Sequence, residues 1–408
     1  MTKIAPINFV SNKKQNSPSI LKPNEKNVKI PLSSFSDYWL ENMAIPPDVS
    51  YGQLQISSIC DARCEFCSND YNEFITGRNK FRDVSEIEKH IWSTPFSYLE
   101  PFYLNESLPG RLSEGEALIH PNLFEILDVI RRKFHNNIIR FTTSGSQLSL
   151  EMMTKLQKYN PIQFTISLPT ANQKYWTEIY KLKDKHYINA IESFKYYSSM
   201  GFSYNVNMTP MPSKVGWEDI ENTIKFCSDH DVNHIHIFAP GYTKTASEEL
   251  IKMMNLDKEE LSNFFNKMVY KYPNVRIEWL ADPNINLNIS FEPIQNNLIN
   301  LHRNKIMRSY WFTSGAAYVR FKQLMQGFTR SLPHYAEVIK VENLNYGGNI
   351  DSSGLWVIDD IRQKIQELNL QNQLIFLPGG FLDRYGFDLN GENINDYFKV
   401  SNNYITVI

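Results

Sequence analysis

Five short apolar runs separated by longer amphipathic stretches set what this chain can fold into: Leu54 to Ile59, Ile138 to Thr143, Ile162 to Leu168, Phe202 to Met208 and Val232 to Phe238. Between them, Asn122 to Phe134 puts Leu123, Ile126, Leu127 and Ile130 on one face at helical spacing, and Trp217 to Cys227 does so with Ile220, Ile224 and Cys227. Strand followed by helix, repeated, calls for a parallel sheet with helical crossovers. A turn-forming Ser or Pro follows the last four runs within two residues, at Ser144, Pro169, Pro210 and Pro240. With a weakly marked strand before Glu114 added, the expected fold is α/β: a partial (β/α)6 barrel over residues 51–242, open on one side, with its chemistry at the carboxyl ends of the strands.

Outside that rhythm the chain changes character. Residues 1–50 are rich in Asn, Lys, Ser and Pro and read as a polar, partly flexible leader, for which Tyr38, Trp39 and Leu40 offer an anchor if part of it folds back. Residues 243–304 read as a helical connector, clearest from Thr243 to Lys271. Residues 305–408 read as a C-terminal mixed α/β domain, with the boundary near Asn300. The apolar content of 42% with 13% aromatics supports a sizeable core. Lys and Arg number 42 against 44 Asp and Glu, so no basic excess favours a nucleic acid or a membrane surface as partner. The longest apolar runs, such as Ile235 to Pro240, are too short to cross a bilayer. Lys3, Lys13 and Lys14 precede no apolar signal core, so the expected location is the cytoplasm.

The four cysteines divide unequally: Cys60, Cys64 and Cys67 lie within eight residues, and Cys227 stands alone. A disulfide framework spreads cysteines in even numbers, whereas a tight group of three in a reducing compartment points to a metal or a cluster. The loop after the first apolar run can wrap its three thiolates around one face of a cubic iron-sulfur cluster. Such clusters usually take four cysteines, and no fourth lies nearby, which leaves one iron open to an external ligand. Two other readings remain at this stage. A structural zinc site would need His90 or His120 as fourth ligand, and a cluster could serve in electron transfer or cluster carriage without catalysis.

The CxxxCxxC spacing of Cys60, Cys64 and Cys67, with Phe66 before the third cysteine, resembles the radical S-adenosylmethionine superfamily. Ser113-Glu114-Gly115-Glu116-Ala117-Leu118-Ile119-His120-Pro121 is similar to that family's Gly-Gly-Glu-Pro stretch, and Phe141-Thr142-Thr143-Ser144-Gly145 to its Thr-Thr-Asn-Gly. The resemblance covers roughly Tyr51 to Tyr242. Glu114 replaces the first glycine and Ala117 the proline, while Glu116 keeps the acidic position. It implies one [4Fe-4S] cluster on the three cysteines and S-adenosylmethionine chelating the open iron. It further implies an external electron donor of flavodoxin or ferredoxin type, reductive cleavage to a 5′-deoxyadenosyl radical, and hydrogen abstraction from a small-molecule or peptide substrate. Glu116 would accept charge-assisted hydrogen bonds from the methionine amino group. By position, Phe66 and Gly115 would border the cofactor, and Ser144, Ser167 and Asn207 would meet its polar groups.

His236 would face the same cavity, with His234 beside it because residues two apart in a strand share a face. Cys227 lies on an apolar helix face and reads first as a buried thiol. Some epimerases of the superfamily use such a thiol as hydrogen donor.

No cysteine follows Cys227, so auxiliary clusters are not expected, and fifty polar residues are too few for a cobalamin domain. Phe312-Thr313-Ser314-Gly315, Val341 to Leu355, Asp359-Asp360-Ile361, Leu377-Pro378 and Phe381-Leu382-Asp383 together resemble a C-terminal domain of unknown function appended to certain bacterial radical proteins. Within it, Gly347-Gly348-Asn349 permits close backbone approach either to a ligand phosphate or to the barrel, and packing against the open side of the barrel is the expected role.

Overall fold

The structure is a computed structural model of the chain. It describes residues 53–54, 56–57, 59–67, 81–93, 102–104, 115–238, 241–279, 291–330, 335–349, 351, 353–382, 386, 388 and 390–407. The leader, and Ser113, Glu114, Ile350, Ser352 and Asp383 of the motifs above, lie outside the described residues.

Among the described residues, seven parallel strands stand in sequence order in one sheet: β1 (Gln53–Leu54), β2 (Phe102–Leu104), β3 (Ile139–Thr143), β4 (Ile162–Ser167), β5 (Ser203–Met208), β6 (His234–Ile237) and β7 (Arg276–Trp279). Among the described residues these α-helices accompany them: α1 (Val84–Ser93), α2 (Leu123–Lys133), α3 (Leu150–Leu156), α4 (Gln173–Tyr180), α5 (Asp184–Ser193), α6 (Pro212–Val215), α7 (Trp217–Asp229), α8 (Glu248–Met254) and α9 (Lys258–Lys271). This is the repeated βα unit that the apolar rhythm demanded. α2 shows how: Leu123, Ile126, Leu127 and Ile130 are buried, Glu125 sits in the first turn and Arg131 to Lys133 in the last, where their charges suit the helix dipole.

The sheet has two unlike faces. Ile139 and Phe141 of β3, Phe164 and Ile166 of β4, Val206 of β5 and Ile235 of β6 are all buried in one core with the helices. Each such side chain contributes about 1.5–3 kcal/mol when taken out of water. The residues between them point to the other side and are polar.

Residues 243–304 hold more than helix. β7 pairs with β6 through His234↔Arg276 and His236↔Glu278, adding a seventh strand to the sheet. Its four residues place one aliphatic, Ile277, between two charges, a pattern of a solvated edge strand that carries no apolar run.

A second parallel sheet follows, with α10 (Phe291–Arg303), β8 (Arg308–Ser314), α11 (Gly315–Thr329), β9 (Tyr335–Val341), α12 (Ile358–Glu367), β10 (Leu374–Leu377), α13 (Ile394–Val400) and β11 (Tyr404–Val407). The strand order is β11-β10-β8-β9, an open sheet wound in both directions from β8. Ile294, Leu298 and Leu301 of α10 and Phe321 and Met325 of α11 cover one face, with Trp311 stacked on Phe376 at 4.0 Å. Ile358, Ile361 and Ile365 of α12 and Ile394, Tyr397 and Phe398 of α13 cover the other.

The two sheets meet where the glycines allow it. Gly347 and Gly348 adopt φ of 66° and 71°. A Cβ on Gly348 would stand 1.8 Å from the Tyr242 carbonyl oxygen, and one on Gly347 would stand 2.6 Å from Lys244 Cβ. This close approach lets the Lys244 N–H donate to the Tyr346 carbonyl at 3.0 Å, and the Asn349 N–H to the Tyr242 carbonyl at 3.1 Å. Asn349 Oδ1 accepts in turn from the Tyr242 N–H at 2.8 Å. The turn of the C-terminal unit is thereby stitched to the chain that leaves β6.

Candidate active site

The cysteine loop is held from both sides. Before it, Ser57 Oγ accepts from the Ile59 N–H at 2.9 Å, and Ile56 O accepts from the Arg82 N–H at 3.0 Å. Beyond it, the carboxyl end of α4 offers carbonyls that the helix itself leaves unused: Tyr180 O takes the Arg63 N–H at 3.1 Å and Ile179 O the Glu65 N–H at 3.0 Å. Lys181, at φ 54°, ends α4 in the left-handed conformation. Glu65 also pairs with Lys214 at 2.7 Å, both side chains 22% exposed. Cys60 is exposed and Cys64 and Cys67 are half-buried, and none forms a disulfide.

Phe66 meets the Tyr180 ring edge-on at 5.9 Å, and the Tyr180 hydroxyl donates to Ser167 O at 2.6 Å. Burial, then the neighbouring Cys64, raises the Tyr180 phenol well above its ordinary range, so it stays a neutral donor. Three soft thiols on one loop form a donor set suited to iron-sulfur ligation. Among the described residues, no three His, Cys, Asp or Glu side chains converge on the position of a mononuclear ion.

Gly115 brings the second motif against the first. Its N–H donates to Ser57 O at 3.1 Å and that of Glu116 to Ile59 O at 2.8 Å, so the chain runs alongside the residue before Cys60. A Cβ on Gly115 would lie 1.9 Å from the Ile59 carbonyl oxygen, so this position excludes any side chain. Glu116 is 4% exposed. Its Oε1 accepts from the Leu118 N–H at 3.2 Å. Its Oε2 accepts from the Thr143 hydroxyl at 2.8 Å and the Ser144 N–H at 3.1 Å. Burial first, then the Asp61 charge, pushes its carboxyl up to about 7, against the pull of those three donors. A cationic partner at this point would restore its charge.

The turn after β3 completes the contact. Ser144 Oγ lies 3.3 Å from Glu116 Oε2, and Ser146 Oγ and Gln147 Nε2 donate to Asp61 Oδ2 at 2.9 and 2.6 Å. Asp61 stands between two of the three thiols and belongs to no motif legible in the sequence. It ties the cysteine loop to β3.

Strand register brings the remaining candidates together on the polar face. Ser167 pairs with Asn207, Asn207 with His236 and His236 with Glu278, forming one tier across four strands. Below it, Thr142, Thr165 and Asn205 pair in sequence across β3 to β5. His234 does lie beside His236, with ring centroids 5.7 Å apart. Burial lowers the His236 pKa, with Glu278 opposing. Glu278 Oε2 stands 3.3 Å from Nδ1 and is that nitrogen's partner. Glu278 is a site residue that sequence reasoning missed, because the short alternation of Val275, Ile277 and Trp279 falls within the stretch that reads as a helical connector. Arg140, whose Nε donates to Thr165 Oγ1 at 3.2 Å, was missed because it sits inside an otherwise apolar run.

Cys227 is apart from these groups. It is fully buried with Ile220 and Ile224 on the face of α7 that packs into the helix-side core, where burial raises its thiol pKa. His120, the alternative zinc ligand, uses both ring nitrogens on backbone: Nδ1 accepts from the Asn122 N–H at 3.1 Å, so Nε2 carries the proton towards Arg82 O at 3.1 Å. The His90 side chain is outside the described residues.

The family model of the Radical SAM superfamily matches residues 54–227. Among solved structures the chain resembles Streptococcus suis SuiB, at 13% identity over 55% of this chain and 48% of that one, with a TM-score of 0.41. It thus spans about half the length of that protein. It also resembles anSMEcpe with bound AdoMet, at 14% identity, 56% and 63% coverage and a TM-score of 0.40. A third likeness is to TYW1 with a lysine-pyruvate adduct bound, at 15%, 53% and 72%, with a TM-score of 0.38. No curated protein matches the chain. Among the described residues no helix is long and apolar enough to cross a membrane.

Proposed function

We propose that the Radical SAM domain carried by this chain is a working enzyme: Cys60, Cys64 and Cys67 hold one [4Fe-4S] cluster, and S-adenosylmethionine binds beside it. The observation that carries this reading is the convergence of the cysteine loop, Glu116 and the Ser144 turn through the bonds just described. When bound, these two groups, given one electron from an external donor of flavodoxin or ferredoxin type, supply reductive cleavage to methionine and a 5′-deoxyadenosyl radical that abstracts a substrate hydrogen.

The chain's own residues bind and orient. Glu116 accepts the cationic amino group of the cofactor; its carboxyl, raised to about 7 when alone, ionises once that charge is beside it. Ser144, Ser167 and Asn207 provide hydrogen bonds to its polar parts, and Phe66 and Gly115 provide the close walls. Tyr180 braces this arrangement as a neutral donor to Ser167 O, with its ring under Phe66. The substrate is a small molecule or a peptide.

Anaerobic reconstitution tests this. The expected result is about four irons per chain with 5′-deoxyadenosine released only in the presence of a reductant and S-adenosylmethionine, both abolished in Cys64→Ala. Normal iron loading by Cys64→Ala, together with no deoxyadenosine from the parent chain, overturns it.

A further inference from the structure

The charges of the cysteine loop are sorted by where they can be reached. Its two carboxylates are engaged within the protein: Asp61 Oδ2 accepts from Ser146 and Gln147, and Glu65 pairs with Lys214 at 2.7 Å. Its cation, Arg63, is exposed, on the same loop as the exposed Cys60.

The loop also borders residues 181–186, through two separate contacts. The Arg63 N–H donates to Tyr180 O at 3.1 Å, next to Lys181. Ser146, which holds Asp61, has its carbonyl oxygen 3.3 Å from His186 Nδ1. On that segment Lys181, Lys183 and Lys185 are exposed, against one exposed carboxylate, Asp184. Further back on α4, Lys174 and Glu178 are exposed with opposite signs and offset each other. Four cations to one carboxylate thus border the loop of a chain whose net charge is −2. Among the described residues, none of these four cations has an ion-pair partner.

Nor do the charges favour the elements that carry them. Lys181 holds φ 54°, a conformation that suits glycine better than lysine. Lys183 is the N-cap of α5 and Lys185 lies in its first turn, where the helix dipole prefers anions. Their field acts outward instead. It reaches about 10 Å at 0.1 M salt and steers an acidic protein onto the loop. Asp184, standing among the lysines, would repel the continuous phosphates of a nucleic acid.

We propose that Arg63, Lys181, Lys183 and Lys185 form the docking surface for an acidic one-electron carrier protein of flavodoxin type. That the loop receives the electron rests on the catalytic reading above; the attraction of an acidic partner does not. In the docked pair one electron passes from the partner's reduced flavin, oxidised in the step, to the oxidised cluster, reduced in it. No bond to the chain forms or breaks.

The test uses the reconstituted chain, a purified acidic flavodoxin and the double variant Lys183→Glu/Lys185→Glu. Both side chains are exposed and an anion suits the start of α5, so this variant is expected to keep its Tm. Lys181→Gly is the second variant, removing one charge where glycine fits the backbone. Binding is read by biolayer interferometry, and cluster reduction by anaerobic stopped-flow absorbance. At about 0.05 M salt, flavodoxin affinity is expected to fall at least tenfold in the double variant and less in Lys181→Gly, with the differences closing by about 0.5 M. The rate of reduction by flavodoxin should fall alike, while reduced methyl viologen, a small cation that needs no docking, should reduce the variants no more slowly than the parent. Equal flavodoxin binding by parent and double variant, no binding by the parent, or tighter binding of a single-stranded RNA than of flavodoxin overturns the proposal. So does an equal fall in the methyl viologen rate, which would mean that the lysines act on the cluster and not on a partner. A chain that loads no cluster strikes the catalytic reading instead, and the binding result still decides the surface.

Discussion

The two sheets are both parallel and wound through helices, yet their strands are written in different alphabets. In the C-terminal sheet, Leu374-Ile375-Phe376-Leu377 is buried at every position, because helices lie on both faces. In the barrel sheet, His234-Ile235-His236-Ile237 alternates half-buried and buried, because helices lie on one face and the other looks into the barrel. Backbone topology alone does not tell these apart; the side-chain period does. A strand that alternates in a parallel sheet has one apolar and one polar face, and here the polar face carries His, Asn and Arg. The C-terminal sheet spends both faces on packing, and what it presents to the barrel is a turn.

The contrast can be broken or sharpened by substitution. The largest loss is expected for Phe376→Ala, which unstacks Trp311 between two helix layers and should cost about 3–5 kcal/mol in denaturant unfolding. A small loss there would mean that the C-terminal core is looser than its burial implies. Gly115→Ala comes next: with the Ile59 oxygen 1.9 Å from the new methyl, the motif cannot stay beside the cysteine loop. We expect about 3 kcal/mol of destabilisation, and iron loading after reconstitution should fall with it.

Each unit carries a buried carboxyl with a raised pKa, Glu116 in the barrel and Asp388 in the C-terminal unit. Asp388 accepts from the Ile358, Asn390 and Glu392 N–H groups, and burial nevertheless pushes its carboxyl up from 3.8 to about 6. The folded state therefore holds this proton more tightly than the unfolded chain. Its contribution is most favourable below pH 4 and is lost as pH rises to about 6, by about 3 kcal/mol in total. Urea midpoints at pH 5 and 7.5 should differ in that direction, and Asp388→Asn should flatten this part of the difference.

Smallest is Gly348→Ala, where a Cβ would meet the Tyr242 carbonyl. The expected outcome is a stability change of about 1–2 kcal/mol, with faster amide exchange over residues 241–244 as the turn lifts away. Gly327→Ala on α11, where nothing lies within 4 Å, is the matched control and should stabilise by up to about 1 kcal/mol.

Much of this architecture was legible in the chain. The apolar runs at Ile138, Ile162, Phe202 and Val232 mark β3 to β6 within a residue or two, because a strand covered by helices must repeat its aliphatics every second position. The weak strand before Glu114 is β2, three residues long and correspondingly faint. β7 was missed: Val275, Ile277 and Trp279 alternate with Arg276 and Glu278, but the strand is four residues long and directly follows the helical stretch of the connector, so its period is too short to stand out. With it went Glu278. Asp61 carries a signal of position alone, between thiols, and Tyr180 carries none. Its role depends on where α4 ends, which no local pattern of apolar residues reports.

The sequence by itself determined what is local in the chain: three thiols within one loop, the helical and strand periods, the acidic residue after a required glycine, and a Gly-Gly turn able to approach backbone closely. Those features need only neighbours a few residues away, so spacing encodes them. Tertiary structure alone decided what spans the chain: Glu116 against Ser144, Asp61 against Ser146 and Gln147, the cysteine loop on the end of α4, and the turn at Gly348 on Tyr242. Each of these joins groups tens of residues apart or more. Such a contact is set by how rigid elements pack, and one strand's worth of sequence does not contain the other partner.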